Sequence, residues 1–285
     1  MKNAIRNTLI AMGTGWSLAL IAGCSTLGPT TATPAAWQQR QDFSDHFDEA
    51  GAVGTLLIHD VKKNVTFVHN PVRARQGYVP ASTFKILNSL IGLDTGVVKD
   101  VDQQKFRFAG DTFNVRGKPF LPAQCNEDVT LRTAFRFSCI PVYQEIAKRV
   151  GMERYKSVVS GLGYGNGKLG AERLEWFWLE GGYAVSAREQ VELLVRLYHD
   201  ELPFSARSME LVKDIMVVEK EPAYTLRAKT GYLFSTQPEI GWYVGWLEKG
   251  DQVYVFALNL DITKPEHGRA RATIVKSALK SLGAL

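Results

Sequence analysis

Apolar and polar positions alternate with a strand period on both sides of a central region that has a helix period. Residues 52–70 alternate around the turn-forming KKN, which predicts a β-hairpin. Near the C-terminus, AYTLRAKTGY, GWYVGWLE and QVYVFALNL predict three consecutive antiparallel strands, the last two joined at KGD. These strands belong in one sheet that closes the fold from both ends of the chain.

Helical periodicity predicts helices at about 37–50, 81–95, 130–137, 141–150, 153–159, 187–200, 207–216 and 269–282. Most of them lie between the two groups of strands. The whole pattern therefore predicts an α/β (α+β) fold, in which an antiparallel β-sheet is flanked by helices and a helical subdomain is inserted.

The first 24 residues have the pattern of a secretion signal. Lys2 and Arg6 form a short positive region, and residues 9–22 are mostly apolar with small and polar interruptions. That stretch is too short and too interrupted for a good membrane span. It ends in LIAGC, which resembles a bacterial lipobox and implies a mature chain that starts at a lipid-modified Cys24.

The alternative to lipidation is an ordinary cleaved signal with an incidental cysteine. With lipidation, Ser25 fits sorting to the outer membrane, by resemblance to other lipoproteins. We therefore expect the protein on the periplasmic side of a Gram-negative envelope, attached to the membrane through Cys24. The next residues, STLGPTTATPAA, predict a flexible tether, so the chain divides into a signal peptide at 1–23, a lipidated tether at 24–36 and a folded domain at 37–285.

Composition and charge narrow the function classes. The formal net charge is only +5, and the basic residues are scattered without interleaved aromatics, so no nucleic-acid partner is predicted. No Cys/His cluster has metal-ligand spacing, so no metal is predicted either. Cys125 and Cys139 permit a disulfide in an exported chain but do not require one.

The stretch VPASTFKILNSLIG carries the first candidate chemistry, because Ser82 and Lys85 are spaced to share one face of a helix. Ser277 and Lys280 have the same spacing in the last predicted helix, where a lysine near the C-terminus is commonplace. Spacing alone does not separate the two pairs. Pro80, however, sets a helix start that places Ser82 in the first turn, where backbone N–H groups are unsatisfied.

The helix around Lys85 is mostly apolar, which predicts a buried lysine with a lowered pKa. An unperturbed lysine, with a pKa of ~10.4, is neutral in fewer than about one molecule in a thousand at pH 7. Burial would make Lys85 a usable base for Ser82. A histidine base has no support in the sequence, since GxSxG is absent and none of the five histidines lies in a nucleophile elbow.

Two further motifs follow in the chain. Ser138 opens the helical stretch SCIPVYQEIAKRVG, and Lys229, Thr230 and Gly231 lie in a predicted strand. A strand-borne lysine and threonine can hold a substrate carboxylate, and Gly231 lets a substrate backbone approach closely. The order S-x-x-K, serine motif, K-T-G resembles that of the penicillin-recognising serine enzymes.

Within that superfamily the chain resembles the class D β-lactamases. The resemblance rests on PASTFK, SCI, YGN, FWLEG, KTG and GWYVGW, which cover nearly all of residues 50–283 in the expected order. It implies a β-lactamase/transpeptidase-like fold with residues 37–285 as the catalytic domain. One departure is Ile140, which stands where the family's S-x-V triplet has valine.

The resemblance also implies a role for each motif residue. Ser82 would be acylated by a β-lactam, and Lys85, as its CO2 adduct, would be the base for both acylation and hydrolysis. Trp178 and Ile140 would line the lysine pocket, and Ser138 and Lys229 would handle charge near the leaving nitrogen. Backbone N–H groups of Ser82 and Tyr232 would form the oxyanion hole. Substrate contacts are expected from Ser138, Lys229, Thr230, Gly231, Tyr232 and Arg271.

The resemblance implies no separate cofactor apart from CO2 or bicarbonate. Arg271 is the expected partner of the drug carboxylate, and Arg269 is the neighbouring candidate. Two other functions share the motifs: a β-lactam sensor and a penicillin-binding transpeptidase, both of which acylate but deacylate slowly. The sensor normally follows several membrane spans and an H-E-x-x-H segment, which this sequence does not have, and FWLEG argues against the transpeptidase.

Overall fold

A seven-stranded sheet forms the centre of the computed structural model, which describes residues 37–108, 110, 114–115, 118–119, 121–170 and 174–285. The predicted signal peptide, Cys24 and the tether lie outside the described residues. The strands are β1 Trp37–Gln39, β2 Gly54–Asp60, β3 Val65–His69, β4 Lys105–Phe106, β5 Asn114–Val115, β6 Lys118–Pro119, β7 Val129–Thr130, β8 Val217–Lys220, β9 Thr225–Leu233, β10 Glu239–Lys249 and β11 Gln252–Ile262.

The helices are α1 Gln41–Ala50, α2 Pro71–Arg75, α3 Lys85–Asp94, α4 Leu131–Phe137, α5 Ile140–Val150, α6 Met152–Leu162, α7 Ala187–Tyr198, α8 Ala206–Ile215 and α9 Glu266–Ser281. Two short 3-10 helices, Ala81–Phe84 and Ala123–Cys125, precede α3 and α4. In the described part of the chain no helix is long and apolar enough to cross a bilayer.

The strand order in the large sheet is β1-β3-β2-β11-β10-β9-β8. Neighbours are antiparallel except β1, which pairs with β3 in parallel. The two ends of the chain therefore meet at β2 and β11, and the helical segment from α3 to α8 is inserted between β3 and β8. This confirms the predicted mixed α/β fold, in which a large sheet is flanked by helices around an inserted helical region. Strands β4 and β7, and strands β5 and β6, form two further two-stranded sheets.

The period-2 pattern of the C-terminal strands places apolar side chains on both faces of the sheet. On β10, Trp242, Val244 and Trp246 pack with the inserted helices, whereas Tyr243 and Leu247 pack with α1 and α9. Two apolar cores result, one on each face. The described residues lie in one compact unit.

The predicted helix at 37–50 is wrong at its beginning, because residues 37–39 form strand β1. Arg40 is extended, with φ −121° and ψ 120°, and only then does α1 start. Pairing with the open edge of β3, and the Arg75 guanidinium 3.8 Å from the centre of the Trp37 ring, stabilise the extended form. Tertiary contacts here override the local helical pattern.

Strand β8 has no counterpart among the predicted elements. It is a four-residue edge strand, its register shifts between Val217 and Glu219, and Val218 is exposed. Such a short, irregular strand lacks the regular alternation that sequence patterns detect.

Candidate active site

Ser82 lies in the 3-10 helix that leads into α3. Ala81, just before it, has a φ of 49°, a left-handed conformation that is unfavourable for a residue with a Cβ. Lys85 begins α3 and its Nζ donates a hydrogen bond of 2.9 Å to Ser82 Oγ. The predicted helix at 81–95 is therefore present, with a tighter first turn, and it brings the serine and the lysine together as predicted.

Lys85 is completely buried. Its Nζ lies 5.2 Å from the centre of the Tyr143 ring. Burial, together with the positive charge of Lys229, holds the pKa of Lys85 well below its usual value, because a charged amine loses its hydration in this environment. The lowered pKa favours the neutral amine of Lys85, as the apolar pattern around it predicted.

Trp178 is also fully buried, and its ring stacks against Phe84 at a centroid distance of 6.1 Å. Its indole Nε1 has no hydrogen-bond partner among the described residues. Ile140, which is 1% exposed, belongs to the same apolar cluster as Trp178 and Tyr143. The buried N–H of Trp178 is therefore a donor in an apolar region, without an acceptor among the described residues.

Asn88 is a second buried donor of this kind, and the motif comparison missed it. Tyr155 donates its hydroxyl to Asn88 Oδ1 at 2.5 Å, while Asn88 Nδ2 has no partner in the described part of the chain. Asn88 lies three residues after Lys85, on the same face of α3. That spacing was the signal from which the sequence could have identified it.

A second lysine and serine meet on the other side of the site. Lys229 of β9 donates a hydrogen bond of 2.5 Å from Nζ to Ser138 Oγ, and one of 3.1 Å to the Thr230 carbonyl. Burial, and to a lesser degree the charge of Arg271, lower the pKa of Lys229 to about 7. Ser138 has a φ of 57° and lies in the two-residue turn between α4 and α5.

Strand β9 lies directly against the 3-10 helix of Ser82, and Gly231 is the point of closest approach. A Cβ on Gly231 would be 3.0 Å from the Pro80 carbonyl oxygen and 3.1 Å from Thr83 Cγ2. A side chain at position 231 would therefore crowd two backbone segments that approach closely here. Thr230 before it is exposed, and the Tyr232 hydroxyl after it donates to Glu239.

Arg271 of α9 reaches the same strand. Its Nη1 donates to the Gly231 carbonyl at 2.6 Å and to the Trp242 carbonyl at 3.2 Å. Arg269, the alternative, is exposed. The structure thus brings Arg271 to the K-T-G strand, next to Gly231.

The YGN stretch forms a support for the nucleophile. Tyr164 donates to Gln190 Oε1 at 2.8 Å, and Gln190 Nε2 donates to Thr83 Oγ1 at 2.8 Å. Thr83 Oγ1 in turn donates to the Pro80 carbonyl at 2.7 Å. All three side chains are buried. This chain of hydrogen bonds ties the residue beside Ser82 to α7.

The open question about the cysteines is answered by a disulfide between Cys125 and Cys139. Ser277 and Lys280, which have the same spacing as Ser82 and Lys85, do not share the buried environment of that pair, because Lys280 is exposed on α9. No group of His, Cys, Asp and Glu side chains in the described residues could hold a metal ion.

A cavity of about 590 Å³ continues from Lys229 and Thr230 along the start of β8. Arg132 and Arg136 of α4 line its opposite wall. Asp214 also lines this cleft and pairs with Arg132 at 2.7 Å, so Lys229 borders a cleft whose lining carries both signs of charge.

A family model matches the chain: residues 43–280 fit the penicillin-binding protein transpeptidase domain. Among curated proteins, the chain is 40% identical over 249 residues to β-lactamase OXA-48 of Klebsiella pneumoniae, covering 87% of this chain and 91% of that protein. It is 36% identical over 257 residues to β-lactamase OXA-5 of Pseudomonas aeruginosa, covering 89% and 93%.

Solved structures agree with these relatives. The class D β-lactamase YbXI from Nostoc superposes with a TM-score of 0.81 at 39% identity, covering 85% of this chain and 99% of that one. FUS-1 (OXA-85), a class D β-lactamase from Fusobacterium nucleatum subsp. polymorphum, gives a TM-score of 0.81 at 36% identity, covering 87% and 100%.

Proposed function

Because the chain belongs to the class D β-lactamases, a family of serine hydrolases, we propose that it hydrolyses β-lactam antibiotics through an acyl-enzyme on Ser82, with CO2-modified Lys85 as the base. Resistance to these antibiotics follows from that activity. The observation that carries the proposal is the environment of Lys85, which is fully buried, has a lowered pKa and lies 2.9 Å from Ser82 Oγ.

Acylation begins when Ser82 Oγ attacks the lactam carbonyl carbon and gives its proton to the base at Lys85. The C–N bond of the ring then breaks, and the ring nitrogen takes a proton from Ser138. Lys229, hydrogen-bonded to Ser138 Oγ at 2.5 Å, replaces that proton. The base at Lys85 then releases its proton to solvent, and Lys229 takes one up. The regenerated base deprotonates a water molecule that attacks the ester, and Ser82 Oγ leaves with the proton that the base took from the water.

The residues around Lys85 fit a CO2 adduct. Addition of CO2 to the neutral amine, with release of one N–H proton to solvent, would give a carbamate, which supplies an anionic oxygen as the base. An anionic group in an apolar pocket needs hydrogen-bond donors. Trp178 Nε1 and Asn88 Nδ2 are two buried donors that lack partners in the described part of the chain. Ile140 keeps water from this region, as the valine of the family would.

Residues on the opposite side of the site would bind the oxyanion and the drug carboxylate. The backbone N–H of Ser82 belongs to the first turn of a helix and has no helical acceptor, so it can serve the oxyanion together with the N–H of Tyr232. Thr230 and Arg271 would hold the drug carboxylate, with Gly231 leaving room for the substrate. Arg271 would then exchange its present backbone acceptors for a carboxylate.

A kinetic panel tests the function. Nitrocefin turnover should rise when bicarbonate is added to the CO2-depleted protein, and 13C-labelled bicarbonate should give a carbamate NMR signal that Lys85→Ala loses. One equivalent of product without turnover would instead identify a slowly deacylating sensor or penicillin-binding protein. Full activity of Lys85→Ala would contradict the proposed base.

For location, we propose a lipid anchor at Cys24 on the periplasmic side of the outer membrane. The support is the LIAGC sequence behind a short positive and apolar segment. Cys24→Ala should move the protein from the membrane to the soluble periplasm, which fractionation of the expressing cells would show. Retention in the membrane would contradict lipidation.

A further inference from the structure

The disulfide joins the short 3-10 helix that ends at Cys125 to the turn that carries Ser138. Cys139 follows Ser138 directly and precedes α5. We propose that the Cys125–Cys139 crosslink positions Ser138 against Lys229, so that it sets the rate of acylation and leaves hydrolysis of the acyl-enzyme unchanged. This inference rests on the function proposed above for Ser138 and Lys229.

The turn requires support because of its backbone. Ser138 has a left-handed φ of 57°, which is unfavourable for a residue with a Cβ and persists only when its surroundings fix it. On the α4 side, the N–H of Cys139 donates to the Ala134 carbonyl at 2.9 Å, and that of Ser138 donates to the Phe135 carbonyl at 3.3 Å. These two bonds only fix the end of α4.

The crosslink restrains the turn from a different direction. Cys125 Sγ lies 3.8 Å from the Phe137 carbonyl oxygen, so the sulfur packs against the backbone just before Ser138. Cys139 is completely buried and Cys125 is 4% exposed. A covalent bond with both ends in the core therefore holds Cys139, the residue that directly follows Ser138.

The position of Ser138 matters because its partner comes from another element. Lys229 is fixed on β9, and its Nζ lies 2.5 Å from Ser138 Oγ and 5.5 Å from the centre of the Phe135 ring. If the turn relaxes, Lys229 loses its serine acceptor and water enters beside it. Lys85 is paired with Ser82 on a separate helix, and Ile140, which borders the Lys85 region, is held in α5, so this change leaves the base for hydrolysis in place.

The rival interpretation is a crosslink that only stabilises the fold. It predicts a lower melting temperature with both chemical steps intact. The positioning role predicts a split between the steps and a change in pH dependence. Burial lowers the pKa of Lys229 to about 7, so entry of water raises that pKa. Because Lys229 must be protonated to replace the proton of Ser138, the high-pH limb of the acylation rate then moves to higher pH.

The test uses Cys125→Ala, Cys139→Ala and the double variant, in the mature chain, well below their melting temperatures. Cys125→Ala removes the crosslink but leaves the side chain of Cys139 in place. Leu279→Ala, a core change on the opposite face of the sheet, is the control matched by loss of melting temperature. Stopped-flow acylation and single-turnover deacylation are measured with saturating bicarbonate from pH 5.5 to pH 9.

We expect acylation to slow by about tenfold or more in all three cysteine variants, because small misplacements of reacting groups are costly. The two single variants and the double variant should agree, since each removes the same bond. The high-pH limb of their acylation rate should move to higher pH, and their deacylation rate should stay within about twofold of that of the parent protein. Leu279→Ala should change neither step.

If the folded cysteine variants keep the acylation rate of the parent protein and its pH dependence, the positioning role is overturned. Equal slowing of both steps would overturn it as well. Failure of the proposed function is a different result, because the parent protein itself would then lack bicarbonate-stimulated turnover.

Discussion

The site contains two serine–lysine pairs of the same composition in different surroundings. Lys85 donates to Ser82 at 2.9 Å and Lys229 donates to Ser138 at 2.5 Å. Both lysines are buried and both have a lowered pKa. The first pair lies within one helical segment, whereas the second joins a strand to a turn between two helices.

The difference between the pairs lies in the groups around each nitrogen. Lys85 is completely buried, with the centre of the Tyr143 ring 5.2 Å from its Nζ. Trp178, which stacks on the adjacent Phe84, and Asn88, three residues further along α3, are buried donors that have no acceptor in the described residues. Lys229 has a second acceptor in the Thr230 carbonyl and faces a cleft. The environment of Lys85 suits a lysine that is converted to an anionic carbamate, and the environment of Lys229 suits a lysine that transfers a proton. Identical residue pairs are thus assigned different chemistry by their neighbours.

The largest expected effect separates the two lysines directly. Lys85→Ala removes the base for both steps, and a general base is worth about 10²- to 10⁴-fold, so nitrocefin turnover should fall by that factor. Lys229→Ala should slow acylation and leave deacylation within about threefold. Stopped-flow kinetics with mass spectrometry of the acyl-enzyme measures both. Lys280→Ala, at an exposed position of α9, is the control with normal turnover.

The next effect tests the anion at Lys85. Trp178→Phe removes one buried donor, and a hydrogen bond to a charged group is worth about 1.5–3 kcal/mol, so bicarbonate should bind about 10- to 100-fold more weakly. The readout is the bicarbonate concentration that gives half of the carbamate NMR signal. Trp246→Phe is the matched control, because this buried indole already donates to Glu248 at 2.7 Å. Equal affinities in the two variants would contradict the role of Trp178.

Arg271 sharpens the contrast on the side of Lys229. Arg271→Ala should lower the acylation efficiency for carboxylate-bearing β-lactams by about tenfold, less than a full charged contact because two backbone bonds are also exchanged. It should also raise the pKa of Lys229, since Arg271 contributes to lowering that pKa. The pH dependence of acylation measures this shift. Arg269→Ala, at an exposed position, should behave like the parent protein.

The smallest effect appears in stability. Lys229 is largely neutral in the folded protein above pH 7 but protonated in the unfolded chain up to pH ~10.4, so folding releases a proton in this window. The free energy of unfolding should therefore rise with pH, by at most about 1.4 kcal/mol per pH unit from this group. Urea unfolding at pH 7.5 and pH 9 should show a smaller rise in Lys229→Met, but not in Lys280→Met. A slope that Lys229→Met leaves unchanged would contradict the lowered pKa.

Much of this site could be predicted from the sequence, because its parts are short motifs with local geometry. The three-residue spacing of Ser82 and Lys85, and the apolar residues around them, predicted both their contact and the burial of Lys85. Strands β9 to β11 followed from period-2 alternation. These features depend on neighbours in the chain.

Features that depend on distant contacts were not predictable. Strand β1 forms only because the edge of β3 is available, and the short, irregular β8 gave no pattern. The disulfide remained open because spacing does not reveal that the two cysteine Cα atoms lie 5.3 Å apart. The sequence does not show that Tyr155, from another helix, donates to Asn88 Oδ1, or that Asn88 Nδ2 has no partner among the described residues.

The hydrogen-bond chain from Tyr164 through Gln190 to Thr83 has a consequence for how this protein tolerates mutation. None of the three side chains has a part in the chemistry proposed here, yet each one supports the segment that carries Ser82. Replacement of any of them leaves a buried polar group without a partner and loosens that segment. A survey of random variants would therefore record these positions as indispensable, and their inactive variants would lack support for the nucleophile while every reacting group remained present.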